Sequence, residues 1–273
     1  MKPRVLITGA NGFIGKALVE YLAKSDVDVV ACVRSRDSII CPESVVVEDG
    51  FEVTQIDQIR RVFSKHKNVT HVVHLAALME FNPSDSTKEK MDLINVQGTK
   101  NLLTVINEVN SQLQRDKIKF IFSSSQEAIG PNKSLCDEST PCRPTNHYGK
   151  NKVEAENVIK QFELIPSIIL RVTGVTGKGD RYAAFEFIQA ISMGIMLVYP
   201  GSCSGTSSFV YVQDVIELIT QLICDHDVWL SGNKCEVYIV GPKDVLNFKE
   251  SIDVLCDFNE QEETILSLSS VVV

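Results

Sequence analysis

The chain has 273 residues, of which 44% are hydrophobic and 23% are charged, and this length can bury one substantial core. Its formal net charge is −8 and its basic residues are scattered, which argues against nucleic acid or an anionic membrane surface as a partner. The eight cysteines never form a C-x-x-C pair, so we expect reduced thiols and no bound metal.

The sequence also predicts where the protein acts. No apolar run approaches the ~18 residues that a membrane span requires. The first strand-like run already begins at Arg4, which leaves no room for a leader peptide. We therefore expect a cytoplasmic protein.

Short β-branched runs alternate with amphipathic helical patterns in the first part of the chain. The runs are RVLIT at 4–8, VDVVACV at 27–33, SVVV at 44–47, HVVHLA at 71–76, KFIFS at 119–123 and SIILRV at 167–172. Apolar residues at i, i+3, i+4 and i+7 spacing predict helices over 15–24 and 91–109. This alternation predicts an α/β fold in which six strands form a doubly wound parallel sheet of the Rossmann type.

The pattern loosens after residue 172. A Gly-rich turn at 173–180 precedes a helical stretch near 182–193, and FVYV at 209–212 leads into QDVIELITQLI. A further strand pattern, EVYIV, covers 236–240. We expect a sheet domain over 1–172 and a small, shortened lobe over 173–273 that is interleaved with it.

The first strand runs directly into the glycine-rich stretch TGANGFIG. Gly9 permits a tight turn, Gly12 lets the backbone approach a pyrophosphate, and Gly15 allows a helix to pack closely on the strand. The helix then begins with Phe13 and Ile14, where free N–H groups favour phosphate. This order predicts dinucleotide binding by the first domain, although such glycines can also serve a purely structural turn.

The glycine spacing and later stretches resemble the extended short-chain dehydrogenases/reductases, the NAD-dependent epimerase/dehydratase family. The later stretches are HLAA at 74–77, INVQGT at 94–99, FSSSQEAIG at 122–130, DESTPCRPTNHYGKNKVEAE at 137–156 and SFVYVQDV at 208–215. The resemblance extends from Arg4 to about Pro242. It implies an NAD(P)-dependent oxidoreductase acting on a small molecule, with Leu75, Ala76 and Ala77 at the cofactor.

Two lysines follow Tyr148, and helical geometry separates them. Lys152 at i+4 shares a helix face with Tyr148, whereas Lys150 at i+2 points away. A nearby ammonium favours the phenolate, so Tyr148 could exchange protons with a substrate. From the residues alone, a chance pair on a surface helix is an equal alternative. The resemblance implies that Tyr148 and Lys152 are catalytic and also contact the cofactor, because Tyr-x-x-x-Lys is the family's central motif.

The resemblance also implies roles for Ser125 and Asn95. Ser125, at the end of the fifth strand, would bind the reacting oxygen, and Asn95 would support the site. Alternatively, the serines at 123–125 merely end the strand, and Asn95 only bonds locally in its helix.

The end of the second strand bears on cofactor choice. NAD-binding folds usually place an acidic residue there, whereas this chain reads CVRSR, with Arg34 and Arg36. An arginine suits the 2′-phosphate of NADP. We therefore expect the protein to prefer NADP as its cofactor. NAD stays open, because Asp37 is close and both arginines could be solvated charges.

The resemblance implies hydride transfer at a secondary alcohol or ketone of a sugar nucleotide. Dehydratases of the family have Thr-Asp-Glu where this chain has Ser125, Gln126 and Glu127. An amide cannot replace a carboxylic acid as proton donor, which favours an epimerase or ketoreductase, with Glu127 and Thr173 as substrate contacts.

Three further features of the sequence leave the substrate, the activity and the oligomeric state open. Ser207 replaces an arginine that clamps the diphosphate in many relatives, and VRSR, HLAALMEF and RVTGVTGKGD resemble dihydroflavonol and 3β-hydroxysteroid reductases. The early end of the chain would suit a cofactor-binding regulator without turnover. The apolar content of the helices near 91–109 and 148–163 predicts a homodimer.

Overall fold

The computed structural model describes residues 2–114, 116–132, 134–180, 208–230 and 235–242, together with Val245, Asn247 and Glu250. Its main feature is a seven-stranded sheet in the order β3-β2-β1-β4-β5-β6-β9, with all neighbouring strands parallel. The strands are β1 (Arg4–Thr8), β2 (Asp28–Cys32), β3 (Val46–Glu48), β4 (His71–His74), β5 (Lys119–Ser125), β6 (Ser167–Val172), β7 (Gly174–Thr176), β8 (Phe209–Tyr211) and β9 (Cys235–Val240). The strand numbers fall from β3 to β1 and then rise from β4 onward, so the chain direction across the sheet reverses between β1 and β4. Doubly wound sheets bind ligands at this position.

The predicted α/β class is confirmed, and the predicted strand count is corrected from six to seven. The added strand is β9, the EVYIV run, which pairs with β6. Its sequence carries Glu236 and Tyr238, so it lacks the continuous apolar character of a strand buried on both faces. Strand order between distant segments is a tertiary property that such a short run cannot reveal.

The chain divides into two compact units, Met1–Thr173 with Val212–Val240, and Gly174–Tyr211 with Gly241–Val273. The first unit contains the seven-stranded sheet. The described part of the second contains the parallel pair β7 and β8. The helical stretch predicted near 182–193 and Ser207 lie outside the described residues.

The helices of the described segments are α1 (Phe13–Leu22), α2 (Ile56–Lys65), α3 (Asp85–Met91), α4 (Gly98–Gln112), α5 (His147–Lys160) and α6 (Val212–Cys224). A π-helical segment, Asp92–Gln97, joins α3 to α4. The helix predicted over 91–109 therefore begins earlier, at Asp85, and is not regular throughout. The i, i+3, i+4 pattern does not reveal a π turn, because a local insertion leaves the apolar spacing on either side intact.

The sheet and the helices on one of its faces enclose an apolar core. Phe120 and Phe122 are two residues apart on β5 and therefore lie on the same face of the sheet. They are buried together with Leu102 and Ile106 of α4. Burying each such side chain contributes about 1.5–3 kcal/mol. This packing holds β5 against α4. None of the helices described here is long and apolar enough to cross a membrane.

Candidate active site

The glycine-rich turn after β1 adopts the geometry that its sequence predicts. Gly9 has a φ of +69°, and the Gly12 amide donates to the Gly9 carbonyl at 2.9 Å. A Cβ at Gly9 would lie 2.7 Å from the Ala76 backbone nitrogen, and one at Gly15 would lie 2.9 Å from the Cα of Ala10. Longer side chains at these positions would therefore force the turn open.

The first turn of α1 offers donors to an anion. Gly12 is its N-cap and provides no side chain to accept from the amides that follow, which include those of Phe13 and Ile14. Backbone N–H groups and the helix dipole at such a terminus favour phosphate. This cradle therefore fits the pyrophosphate of a dinucleotide.

A chain of hydrogen bonds through His74 ties the end of β4 to β1 and to α4. Thr99 donates its hydroxyl proton to the Asn95 carbonyl at 2.6 Å, so its oxygen accepts from His74 Nε2, 3.0 Å away. His74 Nδ1 then accepts from the Thr8 hydroxyl at 2.6 Å. Burial, aided by the charge of Lys152, lowers the pKa of His74 to about 3, which keeps the ring neutral, and the bonds to Thr8 and Thr99 select one tautomer.

The predicted cofactor residues after β4 follow this anchor. The Leu75 amide donates to the Thr8 carbonyl at 3.2 Å and the Ala76 amide to the Thr8 hydroxyl at 3.3 Å. Ala77 is exposed. The loop is thus held beside the glycine-rich turn, with its last alanine open to solvent.

Asn95 lies in the π-helical segment and is buried. Its side chain accepts from the Leu78 amide and donates to the Leu78 carbonyl, each at 2.8 Å, and it also donates to Asn151 Oδ1 at 3.3 Å. Asn151 in turn donates to Asp92 Oδ1 at 2.7 Å. Asn95 therefore links the loop after β4 to α5.

Tyr148 and Lys152 share the buried face of α5, as the i+4 spacing predicts. They are 8% and 4% exposed, whereas Lys150 is exposed. Lys152 Nζ lies 5.4 Å from the centroid of the Tyr148 ring and donates to the Ser123 carbonyl at 2.6 Å. Burial lowers the pKa of Lys152 to about 8, and the Glu156 carboxylate opposes this effect.

The N-terminus of α5 is fixed against the end of β5. Asn146 caps the helix by accepting from the Gly149 amide at 2.7 Å, and its Nδ2 donates to Glu127 Oε2 at 2.5 Å. Ser125 ends β5, and its Oγ accepts from the Glu127 amide at 3.2 Å. Ser125 thus has the turn-capping role, and its hydroxyl proton is not used by this bond.

Thr173 and the two arginines after β2 complete the predicted set. The Thr173 amide donates to the Val240 carbonyl at 2.9 Å, and its Oγ1 is buried without a hydrogen-bond partner in the part of the chain described.

Arg36 Nη1 donates to the Ile39 carbonyl at 3.1 Å. Both arginines are exposed, so only the bond within its own turn distinguishes Arg36 from Arg34.

Several residues of the hydrogen-bond network around the predicted site residues were not predicted from the sequence. They are His74, Asp92, His147, Asn151, Ser124, Glu156 and Arg171. The i+4 spacing of Tyr148, Lys152 and Glu156 would have indicated Glu156. The others depend on contacts between distant segments. Across the described ranges, no cluster of three or more His, Cys, Asp or Glu side chains could hold a metal ion.

The fold and site define a dinucleotide-binding α/β protein with a buried Tyr-x-x-x-Lys pair. Residues 5–241 match the model of the NAD dependent epimerase/dehydratase family. The chain belongs to that family.

Two curated relatives and one solved structure of the same fold are similar to this chain. The chain is 30% identical over 225 residues to the N-acetyl-alpha-D-glucosaminyl-diphospho-ditrans,octacis-undecaprenol 4-epimerase of Escherichia coli O157:H7, covering 80% of this chain and 62% of that protein. It is 31% identical over 238 residues to the UDP-glucose 4-epimerase of Vibrio cholerae, covering 83% and 68%. The crystal structure of the Bordetella bronchiseptica enzyme WbmG in complex with NAD and UDP superimposes with a TM-score of 0.81, at 20% identity, covering 100% of this chain and 82% of that one. The chain thus spans less than two thirds of the Escherichia coli relative's length.

Proposed function

We propose that this chain catalyses reversible hydride transfer at a secondary alcohol or ketone of a sugar nucleotide, as an epimerase or ketoreductase. The observation that carries the proposal is the buried Tyr148 and Lys152 pair at the carboxyl end of β5. The names of relatives, including a UDP-glucose 4-epimerase, support the substrate class.

The site residues suggest how the proton moves. A bound nicotinamide dinucleotide supplies the hydride acceptor or donor. Lys152 places its ammonium beside the Tyr148 ring and favours the phenolate, which can accept the proton of a substrate hydroxyl. In the reverse direction the Tyr148 phenol returns this proton to a ketone oxygen. Ser125 donates its free hydroxyl proton to the same oxygen and holds it in place.

The residues after Ser125 support this reaction over elimination of water. Gln126 is an amide and cannot act as a carboxylic acid. Glu127, the neighbouring carboxylate, accepts a hydrogen bond from Asn146 at the cap of α5, so one of its two oxygens is already engaged. Glu127 and Thr173 are the proposed substrate contacts, and the second is supported by the buried Thr173 hydroxyl, which has no hydrogen-bond partner among the described residues.

Two domain assignments belong to the same proposal. Residues 1–172 would bind the dinucleotide, and residues 173–273 would supply the small substrate lobe, interleaved with the first domain because Val212–Val240 belong to the unit that contains the sheet. The glycine-rich turn, the loop after β4 and α5 all lie in the first segment, which supports the first assignment.

We further propose that NADP is preferred over NAD, with Arg34 binding the 2′-phosphate. Arg34 and Arg36 are both exposed, but a guanidinium nitrogen of Arg36 donates to the Ile39 carbonyl within its own turn, which favours Arg34 as the phosphate ligand. WbmG, a solved structure of the same fold, has been crystallised with NAD, so the test compares both cofactors.

Arg34→Asp is expected to reverse the preference. In the wild type, NADPH should bind about tenfold or more tightly than NADH, because a hydrogen bond to a charged group contributes ~1.5–3 kcal/mol. The aspartate repels the phosphate and can accept from a ribose hydroxyl, so NADPH affinity should fall and NADH affinity should be spared. Fluorescence titration with both cofactors measures this, and equal wild-type affinities would show that Arg34 is only a solvated charge.

We also propose a cytoplasmic homodimer in which the helices near 91–109 and 148–163 pair with their copies. Leu93, in the segment before α4, is 51% exposed and could be covered by the partner. Light scattering at micromolar concentration should give twice the chain mass of 30.3 kDa, and a monomer would refute this pairing.

The function itself is tested with a panel of nucleotide sugars, aliphatic and steroid-like ketones, and both cofactors. Turnover confined to nucleotide sugars is expected. Turnover of apolar ketones alone would replace the substrate class by that of a dihydroflavonol- or steroid-type reductase. Cofactor binding without any turnover would indicate a regulator.

A further inference from the structure

The stripe of α5 that carries Tyr148 and Lys152 continues to a third ionisable side chain. Glu156 follows Lys152 by four residues, as Lys152 follows Tyr148, so all three lie on one helix face. Glu156 is 1% exposed. A phenol, an ammonium and a carboxylate are therefore aligned along the buried side of the helix, and the proposed chemistry uses only the first two.

Arg171 of β6 binds the Glu156 carboxylate through a fork. Arg171 Nε donates to Oε1 at 3.1 Å, and Nη2 donates to Oε2 at 2.8 Å. Arg171 is 4% exposed. A buried carboxylate keeps its charge only when it is paired and hydrogen-bonded, and this bidentate geometry is the strongest form of such pairing.

The strand that carries Ser125 is bound to the same pair. Ser124 donates its hydroxyl to Glu156 Oε1 at 2.6 Å, and Ser124 lies opposite Arg171 in the β5 and β6 register. Lys152 binds the carbonyl of the preceding residue, Ser123. Successive residues of β5 are thus held by successive turns of α5, which fixes the helix relative to Ser125.

We propose that the Glu156 and Arg171 pair is a positioning element that keeps Lys152 charged and sets α5 against the serines of β5. The catalytic role of Lys152 rests on the proposed function. The protonation state of Lys152 can be measured whether or not that function is correct. Burial in an apolar site penalises an ammonium, and a carboxylate one turn away on the same face offsets that penalty.

The charged and titratable groups around Lys152 support this assignment. Glu156 is the neighbour whose charge raises the pKa of Lys152. On β4, His74 is neutral, with a pKa of about 3. On β6, Arg171 is bound to Glu156 and, through Nη2, to Cys142 Sγ at 3.0 Å. Tyr148 lies on α5 itself, with its ring beside the Lys152 ammonium.

The test is a direct titration of Lys152 in the whole chain. The ¹³Cε resonance of Lys152 is followed by NMR against pH in protein labelled with ¹³C-lysine and is assigned by its loss in Lys152→Arg. Glu156→Gln keeps the shape and removes the charge, so the midpoint is expected to fall by about one pH unit or more. Glu154→Gln, at an exposed position of the same helix, is the matched control and should leave the midpoint unchanged.

A second variant covers the case in which an unpaired buried Arg171 prevents folding. Glu156→Gln with Arg171→Met removes both charges together, which buried pairs often tolerate, and the midpoint should again fall. An unchanged midpoint in a folded variant would overturn the proposed effect on the charge of Lys152, and the pair would then only hold α5 on the strands. A lowered midpoint in a protein that shows no hydride transfer would uphold the proposal and refute the proposed function.

Discussion

Tyr148→Phe is expected to reduce turnover by about 10²- to 10⁴-fold, the contribution of a positioned general acid or base. The ring still packs on the buried face of α5 beside Lys152, so the fold should persist. Because only the transferable proton is lost, the loss should appear in kcat while cofactor affinity stays nearly unchanged. Steady-state kinetics and cofactor titration measure the two quantities separately.

The turnover of the phenylalanine variant decides whether Tyr148 is the proton-transferring group. If the phenylalanine variant retained turnover within a few-fold of the wild type, another group would move the proton. Ser125→Ala provides the comparison, because its hydroxyl is proposed only to hold the reacting oxygen.

Lys152→Met is expected to damage turnover and cofactor binding together. It removes the ammonium beside the Tyr148 ring, so the phenol should be harder to ionise. It also removes the donor to the Ser123 carbonyl, and a buried acceptor without a partner costs about 1–3 kcal/mol. Kinetics, cofactor titration and thermal unfolding should therefore all change.

Lys150→Met is the matched control two residues away. Lys150 is exposed, and surface substitutions usually change stability by no more than about 0.5 kcal/mol. Its activity should be close to that of the wild type. Comparable losses at both lysines would contradict the argument that the helix face selects Lys152.

The features predicted correctly from the sequence are those that local chemistry determines. Gly9 must adopt a positive φ and lie against Ala76, so the residue type and the turn imply each other. The i+4 relation of Tyr148 and Lys152 follows from helix geometry alone. Alternation of strand and helix patterns was sufficient to predict the parallel sheet and, with the motifs, the family.

The features missed depend on contacts between distant segments. Glu156 meets Arg171 only because α5 packs over β6, and Asp92 meets Asn151 only because the π-helical segment lies beside α5. No local pattern encodes either contact.

The most direct test of the account mixes cofactor-loaded protein with nucleotide sugars and follows the near-ultraviolet absorbance of reduced nicotinamide. Wild type loaded with the oxidised cofactor should develop this absorbance with at least one nucleotide sugar, and Tyr148→Phe loaded equally should not. Absence of the signal in the wild type across the panel, or an equal signal in the variant, would contradict hydride transfer assisted by Tyr148.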